Sequence, residues 1–318
     1  MVRAVMDAYM QIGETIQGAT KFWRVSIARR NIMLNKLLTA LVIAVLSVGG
    51  FIYAFKSQSA TKANVQNYQI ESLLKQMQAA DWNTRSTAFY KLLDLAFGGK
   101  FSGQTWQIRS ALSKFSRKRP TYADEINLTL IRLLETENNF LREHGEKFEQ
   151  TGETLTEEYT NYHGDLIGTV AGLKDSRAVT ALVGAINTGS MATNGLAEIA
   201  PYSLDAVAEK ADSSDYSIRH SATIALSQML EPANINRLES ETPGSREKIK
   251  NLLIRKAKDA DFNVRLAAIT GLAKLPDRDA VQVLEDISRN DMYQSTKGGT
   301  TSYPVREAAK KHLSHLRK

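Results

Sequence analysis

DYSIRHSATIAL, residues 215–226, is followed 46 residues later by DFNVRLAAITGL, residues 261–272. Aligned on arginine, both stretches carry an acid, an aromatic residue, a β-branched residue, Arg, then Ala and Leu at fixed offsets. In the first these are Asp215, Tyr216, Ile218, Arg219, Ala222 and Leu226; in the second, Asp261, Phe262, Val264, Arg265, Ala268 and Leu272. SYPVREAAKKHL (302–313) repeats the pattern with Ser302, Tyr303, Val305, Arg306, Ala309 and Leu313. DWNTRSTAFYKL (81–92) does so with Asp81, Trp82, Thr84, Arg85, Ala88 and Leu92. Met229, Leu275, Leu316 and Leu95 close the four copies.

The spacing is helical. Ile218, Ala222, Leu226 and Met229 fall on one face of an α-helix, and Ala at its centre lets a neighbouring helix come close. The Asp before each run is placed to cap the helix N-terminus, worth ~1 kcal/mol. Arg on the first turn opposes the helix dipole, so its recurrence calls for a specific partner, an acid or a carbonyl of the adjacent repeat. A second phrase supplies another helix: LKDSRAVTAL (173–182) returns as LPDRDAVQVL (275–284), each with an Asp cap followed by Ala-Val. Alternating the two kinds of helix gives pairs at a period of ~40 residues, an all-α solenoid.

Asp-x-x-[Val/Ile]-Arg-x-x-Ala-x-x-x-Leu, preceded by a helix opening near Asp-x-x-Ala-Val, resembles the HEAT repeat, in the variety found in phycobilin lyases and bacterial repeat proteins. The resemblance covers residues 173–318, with a weaker copy near 65–97. It implies that Asp81, Arg85, Asp215, Arg219, Asp261, Arg265 and Arg306 are structural, forming hydrogen-bond ladders between successive repeats. Ser302 lacks the acid, so the ladder lapses at the last repeat.

Helical periodicity also marks 65–79, 104–117, 121–147, 154–173, 177–187, 191–199, 202–211, 245–258 and 279–290. The segment 121–150 matches no repeat and reads as a longer helix packing across the array. Gly98-Gly99, Asn187-Thr188-Gly189, Pro232 and Pro243-Gly244 read as joints. Residues 290–302 read as a loop inserted in the last repeat, and no segment shows a strand period.

Ahead of the solenoid (65–318) lie a basic segment (1–36), an apolar run (37–55) and a linker (56–64). LLTALVIAVLSVGGFIYAF carries no charge and, as a helix, spans ~29 Å, close to the ~30 Å core of a bilayer. Two readings stay open. The run is either an uncleaved transmembrane anchor or the apolar region of a signal peptide, with Ile52-Tyr53-Ala54 as a cleavage site and either translation starting at Met33 or residues 1–32 forming an unusually long n-region. Arg24, Arg29, Arg30 and Lys36 precede the run, so both readings keep the N-terminus inside and place the rest outside the cytoplasm.

The net charge of +7 is concentrated at that end. Residues 1–60 hold seven Lys/Arg against Asp7 and Glu14, which leaves 34 basic and 32 acidic residues after Ala60. The body is therefore near-neutral and poorly suited to nucleic acid. The cluster Lys114, Arg117, Lys118 and Arg119 beside Pro120 reads as a solvated helix end. There is no cysteine, which excludes disulfides and thiolate chemistry. His312 and His315 share a face but lack a third ligand, His220 reads as a surface position, and Asp124/Glu125 and Glu157/Glu158 are adjacent and diverge on a helix. Trp82 and the other repeat aromatics read as packing at the seam between repeats.

No catalytic, cofactor-binding or metal-binding residue is expected. The expected function is a non-catalytic, monomeric scaffold of the bacterial cell envelope that binds a protein or peptide partner through the solenoid surface. By resemblance, a chromophore-lyase-like enzyme is the alternative, followed by a nucleic-acid-binding HEAT-like protein.

Overall fold

The computed structural model describes residues 67–98, 120–151, 155–297 and 300–316. The chain divides into two compact units, 1–70 and 71–318, and the helices that follow belong to the second. The expectations for segments 1–36, 37–55 and 56–64, for a helix at 104–117 and for the Lys114–Arg119 cluster lie outside the described residues. Among the described residues no helix is long and apolar enough to cross a membrane.

The first pair is α1, covering 71–76 of this unit, and α2 (Trp82–Phe97). The second is α3 (Pro120–Thr151) and α4 (Glu157–Leu173). A 3-10 turn, Ser176–Ala178, leads into α5 (Val179–Gly184), followed by α6 (Ser190–Glu198), α7 (Leu204–Ala211) and α8 (Tyr216–Met229). Then come α9 (Pro232–Glu241), α10 (Ser245–Lys256), α11 (Phe262–Leu272), α12 (Arg278–Asn290) and α13 (Pro304–Leu316). The pairs stack in two layers. Helices α1, α3, α5, α7, α10 and α12 make the first, and α2, α4, α6, α8, α11 and α13 the second. This is a helical-repeat α-solenoid, in which each pair touches mainly its neighbours in chain order.

Local chemistry accounts for the helix starts. The Asp81 carboxylate accepts from the Thr84 N–H at 2.8 Å, Asp215 from Ser217 at 2.7 Å and Asp261 from Asn263 at 2.8 Å. Asp175 and Asp277 do the same for Arg177 and Ala280, both at 3.0 Å. From each cap the apolar stripe runs inward: Ala88 and Leu92, Ala222 and Leu226, Ala268 and Leu272, and Ala309 with Leu313 are all buried. Glycine extends the close approach that alanine begins. A Cβ at Gly271 would lie 2.6 Å from Leu253 Cδ1 and 3.1 Å from Ser227 Cβ, so α11 sits against α8 and α10 with no room for a methyl group.

Three sequence expectations need correction. The long helix α3 does not cross the array; it packs on α4 and α5 and takes the first-layer place in its repeat. Pro232 is not a joint but the opening of α9, where its missing N–H is no loss. Only Ile235 and Leu238 of α9 are buried, too sparse a stripe to register as a period. The loop at 290–302 contains a two-stranded antiparallel ribbon, Ser295–Lys297 with Thr300–Ser302, in the register Ser295↔Ser302 and Lys297↔Thr300. Three-residue strands of Ser, Thr and Lys carry no apolar alternation to read.

Candidate interaction face

The repeated arginines reach across the seams. Arg219 grips Asp259, which lies in the loop ahead of α11, with Nε at 3.1 Å and Nη2 at 3.2 Å. Its Nη1 donates back to the carbonyls of Ser213 and Ser214 at 3.0 and 2.8 Å. Arg265 repeats this one step on, with Asp291 at 2.6 and 3.2 Å and the carbonyls of Asp259 and Ala260 at 2.9 Å. Burial pushes the Asp259 carboxyl up, but Arg219 and the Asp261 N–H bring it below the usual carboxylate range. Arg306, in the last repeat, donates to the Asp291 carbonyl and lies 4.3 Å from the centre of the Tyr303 ring.

The carboxylates that the resemblance assigns to the ladder do not reach it. Asp81, Asp215 and Asp261 accept from N–H groups of their own helix starts, because a short side chain at the cap points at its own first turn. The ladder acids are Asp259 and Asp291 instead. Asp259 stands two residues before a cap, and Ser213 occupies that place ahead of α8, where the preceding repeat offers Thr193 rather than Arg. For Asp259 the Asp-x-Asp spacing was the available signal; Asp291, followed by Met292 and Tyr293, carries none. The aromatic expectation divides as well. Phe262 stacks on Tyr293 with centroids 3.9 Å apart, and Trp82 meets Tyr159 edge-on at 5.2 Å. Tyr216, however, is 59% exposed, because the matching place in the next repeat is Asp261 and not a ring.

Arg85 has a different partner, which sequence reading missed. It pairs with Glu137 in the middle of α3, Nε to Oε1 at 2.6 Å and Nη2 to Oε2 at 3.1 Å, and both residues are buried. Tyr159 and Tyr162 of α4 donate to the same carboxylate at 2.9 and 3.0 Å. Four donors therefore surround one carboxylate that has no water to spare. Burial, then the Glu137 charge, pushes both phenols far above the ordinary tyrosine range.

Beside this knot, the Asn138 amide donates to the Ala181 carbonyl at 2.8 Å, and its Oδ1 meets His163 Nε2 at 3.1 Å. Burial pushes the His163 imidazole down to about 4, opposed only by Glu137. A free histidine titrates near 6.5. Between those values the unfolded chain holds a proton that the folded one refuses, so stability should climb as pH rises from about 4 to about 6.5 and then level. The gap corresponds to about 3 kcal/mol. Urea unfolding at pH 4.5 and pH 7 should show a smaller difference in His163→Gln than in the parent. Equal differences would mean that this imidazole is not the group responsible.

The outward rows of the second layer form the candidate site. Nine residues after the caps Asp81, Thr156, Gly189, Asp215 and Asp261 stand Tyr90, Asp165, Glu198, Ile224 and Thr270, and Lys311 follows Ser302, the equivalent repeat position, by the same nine. The Tyr90 hydroxyl donates to Asp165 at 3.0 Å, so these places are neighbours. Between α8 and α11 the rows border an open cavity of about 330 Å³. Ile224, Leu266 and Ala267 give it an apolar floor, with His220, Gln228, Thr270 and Lys274 around them. Lys274 is held by the Ser227 carbonyl at 2.7 Å and by Glu231 at 2.7 Å, while Gln228 Oε1 is buried without a hydrogen-bond partner. His220 is thus part of the cavity wall. His312, on the same helix as His315, is half-buried and is held below the ordinary histidine range by burial, then by the charges of His315, Lys311 and Lys274.

No family model matches the chain, and no curated protein matches it in sequence. Among solved structures, it is similar to a designed armadillo repeat protein in complex with peptide (KR)4, at 13% identity over 77% of this chain and 98% of that one, with a TM-score of 0.40. It is also similar to computationally designed armadillo repeat proteins for modular peptide recognition, at 14% identity over 76% and 98% and a TM-score of 0.37. An engineered protein shares 17% identity over 78% and 96%, with a TM-score of 0.37. At these values the solenoid assignment rests on the chain's own stacked helix pairs.

Proposed function

We propose that residues 65–318 act as a non-catalytic scaffold that binds a protein or peptide partner through the second-layer face. The carrying observation is the cavity between α8 and α11, an apolar floor ringed by hydrogen-bonding side chains on a row that recurs in every repeat. A recurring row suits an extended partner, since each repeat offers the next contact a helix spacing further on.

Site-specific photocrosslinking tests this. A compact aliphatic diazirine residue, no bulkier than leucine so that the cavity stays open, at Thr270 on the exposed rim should give a discrete protein adduct in native envelopes. The same residue at Asn251, exposed on α10 in the other layer, should not. No adduct from position 270, or identical patterns from both positions, would sink the reading.

The proposal extends to place. The uncharged run 37–55 with its cationic approach supports a solenoid that works outside the cytoplasm, either anchored or released by cleavage, and the proposed protein is a monomer whose repeat variety suits a bacterial origin. The repeat would then be of the phycobilin-lyase type by sequence resemblance, without the lyase chemistry. Protease added to intact spheroplasts should digest the solenoid, and protection until lysis would overturn this topology.

A further inference from the structure

We propose that the α8–α11 cavity and the cationic rim beyond it on α13 bind an acidic peptide segment anchored by one large apolar side chain. This rests on the scaffold reading and names the chemistry of the partner. The cavity of about 330 Å³ suits a single aliphatic or phenyl group lying against Ile224 and Leu266, both half-buried and only partly covered by the fold.

The charge around the cavity is one-sided toward the C-terminus. One repeat on, Lys311 and His315 stand at the places that Thr270 of α11 and Lys274 just beyond its end hold. Both are exposed, and with Lys274 they surround His312, whose imidazole is disfavoured from taking a further charge. The nearby carboxylates are already engaged. Glu231 pairs with Lys274, so those two charges offset each other and Lys311 sets the sign of the rim, and Glu307 accepts from the Tyr303 N–H at the start of its own helix. Further toward the N-terminus the same row turns acidic, with Asp165 and Glu198. The cationic character is therefore confined to the cavity's C-terminal side, where carboxylates flanking the anchor would meet it.

A nucleic acid would be drawn to the same cations. The body, however, carries 34 basic against 32 acidic residues after Ala60, and the cavity is the size of a side chain rather than a backbone track. The peptide is the better match.

The test is fluorescence anisotropy on the full chain with a labelled peptide of one phenylalanine between runs of glutamate. Saturable binding is expected, weakened about tenfold or more when glycine replaces the phenylalanine or lysine replaces the glutamates. Lys311→Glu, at an exposed position, should cost about tenfold. Thr270→Trp, at the exposed rim, should plug the cavity and abolish binding while the helical melting curve stays in place. Equal binding of the glycine or lysine peptides, or no saturable binding, overturns the proposal. So does single-stranded DNA that binds as tightly and ignores Thr270→Trp, which would mark a general polyanion surface. If the acidic peptides fail while position 270 still crosslinks a protein, the peptide chemistry falls and the scaffold stands. If both fail, both fall.

Discussion

Glu137→Ala is expected to destabilise residues 71–318 by about 3–5 kcal/mol. The substitution strips the counter-charge from Arg85 and the acceptor from the Tyr159 and Tyr162 hydroxyls, all of them buried between α2, α3 and α4. A guanidinium left without its carboxylate cannot reach water, and its Nη1 bonds to the Ala79 and Ala80 carbonyls replace neither lost contact. Chemical denaturation followed by circular dichroism measures the loss. The controlling comparison is the double variant Arg85→Met with Glu137→Leu. Removing both charges for apolar groups of similar volume should restore most of the stability, because the cost lies in the orphaned partner and not in the absence of a pair. If the double variant is as unstable as Glu137→Ala, the pairing account is wrong and lost packing explains the effect.

Arg265→Met should cost about 2–3 kcal/mol, and the damage should be local. Arg265 is the clamp between the last two repeats. It holds Asp291 in a two-point grip, with side chains 14% and 5% exposed, and ties down the carbonyls of Asp259 and Ala260. Without it, Asp291 is a nearly buried carboxylate that keeps only the Tyr293 N–H at 3.0 Å. In a solenoid, stability is close to a sum of neighbour terms, so a broken seam loosens what lies beyond it. Hydrogen exchange should speed up in α12, the ribbon and α13 and stay unchanged in α4 to α7. Arg265→Lys should not rescue it, since a point charge cannot span both carboxylate oxygens and two carbonyls. Faster exchange spread evenly over every helix would refute the seam account.

Three arginines, Arg85, Arg219 and Arg265, show how much of the seams was legible. Arg on a first turn is an electrostatic oddity, and that alone called for a partner. Which partner depended on the loop two residues ahead of the next cap for Arg219, on the residue that caps the end of α12 for Arg265, and on a distant helix for Arg85. The Asp259-Ala-Asp261 spacing carried the first answer in plain letters, whereas nothing near Glu137 separates it from the other acids of α3. The cavity was illegible, because Ile224 and Thr270 are 46 residues apart and each alone is an ordinary surface position.

By itself the sequence determined the helix starts, the alternation of two helix types, the alanines at the contact points and hence the all-α solenoid. All of these follow from capping, periodicity and side-chain size within a dozen residues. Only the tertiary structure decided that Glu137 answers Arg85, that Tyr216 stays exposed while Phe262 is stacked, that His163 is buried uncharged, and that α8 and α11 leave a cavity between them. Those outcomes depend on which residues two separate helices bring face to face. Short-range chemistry sets where a helix begins and which side it buries, but not what waits on the other side of the seam.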